Sequence, residues 1–374
     1  MGSGASQVVH SDAIVSAGYS SLCNTNNSGI DFFEKDEQIK VNSLAKTPFH
    51  ATWYNISTLS QMLSPRQGMA YGFHSETEKI LFAFGQKENL DYASDLVCYD
   101  VKTNEMSILI QNLGEGRTNS SGIMIGDYFF IFGGNNSFHY YNDLYRFNVT
   151  TLQVEFVTGI GKSPSPRSNS IMGTFDDSIY IWGGELPNGE TDSNVYIFNI
   201  KNNSWSSVNS EVKPRAAASY TQMKNKIYIY GSSDNEGMLI LDMQTVDFEI
   251  IKNHGQFPLP DIKYPGLVSV FPNYILCFGG TSTNKTTHLF AFDVNRKYWF
   301  IFHTKPKEGE ENKGKINENG FFKVPRQFSF ASVYDEKRKM ILYTLSDQFT
   351  SLGVFDLSKA LSKLNLGEDL LSML

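Results

Sequence analysis

Short aromatic-rich runs that end in a glycine pair recur along this chain at a nearly constant interval. IFGG ends at Gly134, IWGG at Gly184 and CFGG at Gly280, with a degraded IYGS ending at Ser232, so successive copies stand 50, 48 and 48 residues apart. A repeat of about 50 residues built from strands is one supersecondary unit that buries its apolar face on its neighbours. The 374 residues are therefore read as copies of one unit rather than as a string of different domains.

The copy from Pro166 to Val208 is the most complete: PRSNSIMGTFDDSIYIWGGELPNGETDSNVYIFNIKNNSWSSV. Its apolar runs are divided by Asp176-Asp177, Gly183-Gly184 and Asn202-Asn203, all turn formers, which gives four short antiparallel strands. An Arg opens the first strand, a Gly pair closes the second, a Tyr sits in the third and a Trp opens the fourth. In these features the unit resembles a blade of the kelch-repeat β-propeller family. The resemblance implies an all-β fold and says little about function.

First strands begin near Arg66, Arg117, Arg167, Arg215, Lys263 and Arg326, which gives six blades. Five have a fourth strand, at Glu105 to Ile110, Gln153 to Val157, Trp205 to Val208, Phe248 to Ile251 and Tyr298 to Phe302. The sixth is followed by SKALSKLNLGEDLLSML, which has helical spacing. FHATWYNIS, Phe49 to Ser57, supplies the missing strand, with Trp53 where Trp205 and Trp299 stand, because a ring needs closure to remove its open edge. The alternative, a degenerate seventh blade in residues 11–60, lacks a Gly pair. The expected organisation is an N-terminal segment 1–48, partly flexible, a six-bladed propeller 49–358 with a charge-rich mobile loop 304–323, and a C-terminal amphipathic helix 359–374.

A net charge of −7 argues against a general nucleic-acid binder. No run of 18 apolar residues is present, and the N-terminus lacks the basic start and apolar core of a secretory signal. Cys23, Cys98 and Cys277 have no metal-ligand spacing and read as free thiols of a reducing compartment. A cytoplasmic monomer without cofactor is expected, and the Asn-x-Ser/Thr sequons are read as chance matches. Met1-Gly2-Ser3-Gly4-Ala5-Ser6 fits the myristoylation pattern, in which Gly2 carries the acyl chain. One such chain anchors only reversibly.

Counting back 16 residues from the first Gly of each pair reaches Arg117, Arg167, Arg215 and Lys263. Arg66 and Arg326 hold the matching place in blades with longer first turns. Six like charges around one channel mouth repel unless neutralised, which points to a ligand with acidic groups. The alternative is that each Arg pairs with a loop acid of the next blade, from Glu185, Glu190, Asp234, Glu236 and Asp347. In kelch proteins that recognise peptides a similar ring and its neighbouring loops form the pocket. The resemblance thus implies a partner-binding face of Arg66, Arg117, Arg167, Arg215, Lys263 and Arg326 with Asn135, Asn136, His139 and Tyr140.

No catalytic motif was found, and the seven His are scattered without a pair at ligand spacing, so no metal is assigned. GGELPNGETDSN, with Glu185, Glu190 and Asp192, comes nearest to a metal-holding loop. The reading is a non-enzymatic protein-interaction scaffold or adaptor. Two alternatives stay open, an enzyme acting on a sugar or small acid at the channel mouth and a substrate receptor of a ubiquitin ligase.

Overall fold

A computed structural model describes residues 50–58, 64–190, 192–215, 217–232, 236–259, 261–270, 272–281, 289–307, 330–344 and 351–364. The first described elements are β1 (His50–Ser57) and the short β2 (Arg66–Gln67). Blade one follows as β3 (Ala70–His74), β4 (Lys79–Ala83), β6 (Leu96–Asp100) and β7 (Glu105–Ile110), with β5 (Gln86–Lys87) pairing β2. Blade two is β8 (Ser121–Ile125), β9 (Tyr128–Phe132), β10 (Leu144–Asn148) and β11 (Val154–Phe156). Blade three is β12 (Ile171–Phe175), β13 (Ser178–Trp182), β14 (Val195–Asn199) and β15 (Ser204–Val208). Blade four is β16 (Ser219–Met223), β17 (Lys226–Tyr230), β18 (Gly237–Asp242) and β19 (Asp247–Lys252). Blade five is β20 (Gly266–Val270), β21 (Tyr274–Phe278), β22 (Leu289–Asp293) and β23 (Tyr298–Pro306). Blade six is β24 (Ser332–Asp335), β25 (Met340–Thr344) and β26 (Ser351–Asp356), and α1 (Ser358–Leu364) ends the described chain.

Each blade is an antiparallel meander, and the first strands β3, β8, β12, β16, β20 and β24 each touch the next, with β24 against β3. The ring is thus closed around a central channel. Apolar residues collect in six clusters, one in each wedge between neighbouring blades. Between blades one and six, for example, Phe82 and Tyr99 meet Leu342 and Val354. Alternating strands bury both faces in such wedges, which is why the middle strands read as nearly continuous apolar runs.

Closure uses the N-terminal strand. β1 pairs antiparallel with β26, from Thr52↔Asp356 to Ser57↔Ser351. Trp53 stands opposite Phe355, the register of Trp205 opposite Phe198 and of Trp299 opposite Phe292. The first half of β1 also pairs in parallel with β23, from His50↔His303 to Trp53↔Pro306, so blades five and six share one eight-stranded sheet. This second pairing corrects the expected loop boundary, because Thr304 to Pro306 are strand. Ala360 and Leu361 of α1 are buried with Ala51, Trp53 and Leu357, so this helix packs on the closing strand.

Candidate functional site

The glycine pairs form corners where the second strand of a blade turns toward the third. Gly133 and Gly134 have φ of 64° and 100°, and Gly183 and Gly184 have 67° and 90°, a region that only glycine enters cheaply. A Cβ on Gly134 would lie 2.7 Å from the Thr118 carbonyl. The carbonyl at such a corner leaves the ladder, and the blade's Arg takes it. Arg117 Nη1 donates to Gly133 O at 3.4 Å, Arg167 Nη1 to Gly183 O at 3.0 Å, and Arg66 Nη1 to Phe84 O at 3.4 Å. The same guanidiniums hold aspartates of their own blade. Arg66 pairs with Asp95, Arg117 with Asp143 at 2.5 Å and Arg167 with Asp192 at 2.6 Å.

This geometry corrects the reading of a free cationic ring. Arg66, Arg117, Arg167 and Arg215 are 4%, 2%, 0% and 7% exposed. For the first three the acid partner is the aspartate ahead of the third strand of the same blade rather than an acid of the neighbouring blade, and Arg215 Nη1 donates to Gly237 O at 2.6 Å. A buried guanidinium with its carboxylate and carbonyl in place holds a corner and offers no charge to a ligand. Burial pushes the Asp192 carboxyl up, but hydrogen bonds from Arg167, Tyr196 and the Asn194 backbone outweigh it and hold the group below its ordinary value.

Blade five departs further. Three residues separate β20 from β21, where blades two to four have two, so counting back from Gly279 lands one residue late. Main-chain bonds settle the register. Gly85 N donates to Arg117 O and Gly134 N to Arg167 O, and the matching Ser232 N donates to Ile262 O. Ile262, 1% exposed, occupies the Arg place, and Lys263 is the exposed residue after it. Arg326 lies outside the described residues, as do Gly2, Asp234 and Asp347.

The loop from Asn135 to Tyr141 follows the corner of blade two and exposes three consecutive residues, Ser137 to His139. The Asn136 side chain accepts from the backbone N–H groups of Phe138 and His139 and donates to Gly116 O and the Tyr141 hydroxyl. Asn136 is 8% exposed, so it shapes the loop from within. Tyr141 stacks on Arg117, whose guanidinium carbon lies 3.6 Å from the ring centroid. Burial and the nearby Glu115 carboxylate push the Tyr141 phenol up to about 12. This frame presents Ser137, Phe138 and His139 outward, and Phe138 is 86% exposed. Of the residues expected here, Asn135, Asn136, His139 and Tyr140, only His139 is exposed, and Phe138, not among them, is the most exposed of the loop.

The channel holds a cavity of about 380 Å³ lined by the first strands, including Tyr71, Ser121, Tyr220, Gln222, Tyr264 and Ser332. Among the described residues, none that line it is Asp, Glu, His, Lys or Arg. Burial raises the Tyr71 phenol, and burial with the Glu185 carboxylate raises Tyr264 to about 12. In the loop weighed as a metal holder, Asp192 is committed to Arg167 and Tyr196, and Glu185 faces the Tyr264 hydroxyl. Cys98 and Cys277 are buried free thiols, and burial pushes Cys98 up to about 11.

Comparison with known proteins agrees with this architecture. A family model described as the KLHDC2/KLHL20/DRC7 Kelch-repeats domain matches residues 32–231 and 123–316. A leucine-zipper-like transcriptional regulator 1 homolog of Drosophila melanogaster is 26% identical over 210 residues, 52% of this chain and 21% of that protein. Acyl-CoA-binding domain-containing protein 5 of Arabidopsis thaliana is 26% identical over 198 residues, 48% of this chain and 30% of that protein. An N-(sulfonatooxy)prop-2-enimidothioate sulfolyase of Thlaspi arvense is 20% identical over 264 residues, 64% of this chain and 72% of that one. The matches to the first two relatives thus span less than a third of their length. With six four-stranded blades, glycine corners and a family match across most of its length, this chain belongs to the kelch-repeat β-propeller family.

Proposed function

We propose that this propeller is a non-enzymatic protein-interaction module, a scaffold or adaptor that receives its partner on the glycine-corner face with the Asn135–Tyr141 loop as anchor. The observation that carries the reading is Phe138, 86% exposed at the tip of a loop braced by Asn136 and by the Tyr141–Arg117 stack. An apolar ring held out in water by a preordered frame loses little conformational freedom when a partner covers it, and aromatic anchors dominate protein interfaces. Exposed charges in the corner-side loops are of both signs, Glu88, Asp91, Glu115 and Glu190 against Lys162 and Lys263. An acidic partner would therefore draw on Lys263, and not on the four buried arginines.

Reversible recruitment to membranes through myristate on Gly2 extends this proposal, and cytoplasmic residence goes with it. The test of the anchor is quantitative affinity capture with wild type and Phe138→Glu at matched melting temperature. Partners that depend on the loop should drop out of the variant. An unchanged set of partners would move the binding surface elsewhere.

A further inference from the structure

On the opposite face, where the first and second strands of each blade turn, blades one and two bring three different ligand-bearing side chains together. His74 ends β3, Glu76 lies in the turn after it and Asp127 lies in the turn between β8 and β9. One ligand atom from each falls within 4.8 Å of the other two. Asp127 is 53 positions from His74, so no local spacing announces the cluster.

His74 is 5% exposed, and its two ring nitrogens have separate tasks. Nδ1 lies 2.7 Å from Thr77 Oγ1, while Nε2 points to Asp127 Oδ1 at 3.2 Å. Either neutral tautomer satisfies the ring: Nε2–H donates to Asp127 while Nδ1 accepts the Thr77 hydroxyl, or Nδ1–H donates to Thr77 and leaves the Nε2 lone pair facing the carboxylates. Metal binding uses the second tautomer, with Thr77 taking the Nδ1 proton. An outer hydrogen bond that fixes the tautomer is the usual support of a metal-bound His. Glu76 and Asp127 are exposed, so both carboxylates can adjust. Ligand atoms about 2.0–2.2 Å from a tetrahedral ion stand roughly 3–3.5 Å apart, which the Glu76 side chain reaches by rotation. Lys337 comes near, with Nζ 2.9 Å from Ser75 O and 3.4 Å from Glu78, a carboxylate it shares with Lys102 and Arg338.

We propose that His74, Glu76 and Asp127 bind a divalent ion of the zinc type and so pin blade one to blade two. Imidazole with two carboxylates suits zinc and its borderline-soft neighbours, and calcium and magnesium prefer oxygen alone. Three protein ligands leave a coordination position open to water or to a carboxylate of a partner.

The experiment is calorimetric titration of Zn²⁺ into the chelator-treated full chain, beside Glu76→Gln, Asp127→Asn and His74→Gln. Wild type should bind one ion at this site and gain melting temperature with zinc. Each variant should weaken binding about tenfold or more. His74 is buried and its replacement can unfold the protein, so the two exposed carboxylates decide. Binding of unchanged affinity and stoichiometry in both Glu76→Gln and Asp127→Asn, or no binding by wild type at about 100 μM zinc, overturns the proposal.

Discussion

Trp53 Nε1 donates a 2.6 Å hydrogen bond to the Tyr343 hydroxyl, joining residues 290 positions apart. The bond ties the N-terminal strand to the middle strand of blade six, and Gly353 across the sheet makes room for it. A Cβ on Gly353 would lie 2.1 Å from the Tyr343 ring. Trp53→Ala removes a buried ring and is expected to cost about 3–5 kcal/mol, measured by urea unfolding. Trp53→Phe, which keeps most of the packing and leaves the Tyr343 hydroxyl without its donor, should cost roughly 1–3 kcal/mol. A truncation lacking residues 1–57 should aggregate, because it bares the edges of β26 and β23. A soluble truncation with an unchanged melting temperature would show that closure does not depend on β1.

The buried arginines should behave as structural groups. Arg167→Ala leaves Asp192 without its cation and the Gly183 carbonyl without its donor, an expected loss of about 3 kcal/mol or more. Arg167→Met with Asp192→Leu should recover much of it, as Ile262 already replaces the cation in blade five. If Arg167→Ala were as stable as wild type and weakened only partner binding, the ligand role would return.

Acid should loosen the same corner. The Asp192 carboxyl is depressed in the folded chain, so its contribution is present above the unfolded value, near 3.8, and is lost as pH falls through the lower folded value. Melting temperature should therefore fall more steeply between about pH 4 and pH 2 in wild type than in Asp192→Asn, which has less to lose. Parallel curves would remove the ion pair from the account.

Ser232 sits at φ 99° in a corner position that is glycine in blades one, two, three and five. Ser232→Gly should relieve strain of about 1–3 kcal/mol against an entropic cost of roughly 0.5–1 kcal/mol, and so raise the melting temperature slightly. A lower melting temperature would mean that the Ser side chain contributes more than its backbone costs.

At the other end of the chain, Gly2 offers a direct readout. Cells fed a myristate analogue should label wild type and not Gly2→Ala, and the label should shift part of the protein to membranes. No label in cells with active myristoyltransferase would end that proposal.

The blade count and the closing strand were legible because they rest on local, repeated signals. The glycine pairs mark left-handed corners, and Trp53 stands in the same register as Trp205 and Trp299. The cations were legible as a repeat but not in their purpose. Asp95 and Asp143 stand directly before the third strands in DLVCYD and DLYRFN, yet only the fold shows that these corners meet the Arg of their own blade. Lys263 was misplaced because a turn one residue longer shifts every count made from the Gly pair. Phe138 was passed over because exposure follows from how Asn136 folds the loop beneath it, which no spacing encodes.

The double pairing of β1 also sets an order of events. Its partners in β26 come some 300 residues later in the chain, and elongation runs at about 5–20 residues per second. Blades two to five can condense as they emerge, while the strand that completes the circle waits roughly 15–60 s for a place to dock. During that interval the nascent protein carries a ready-made strand with no sheet, and later a sheet with no last strand. Ribosome-proximal chaperoning and the rate of translation through blade six should therefore govern its yield more than the stability of the finished ring.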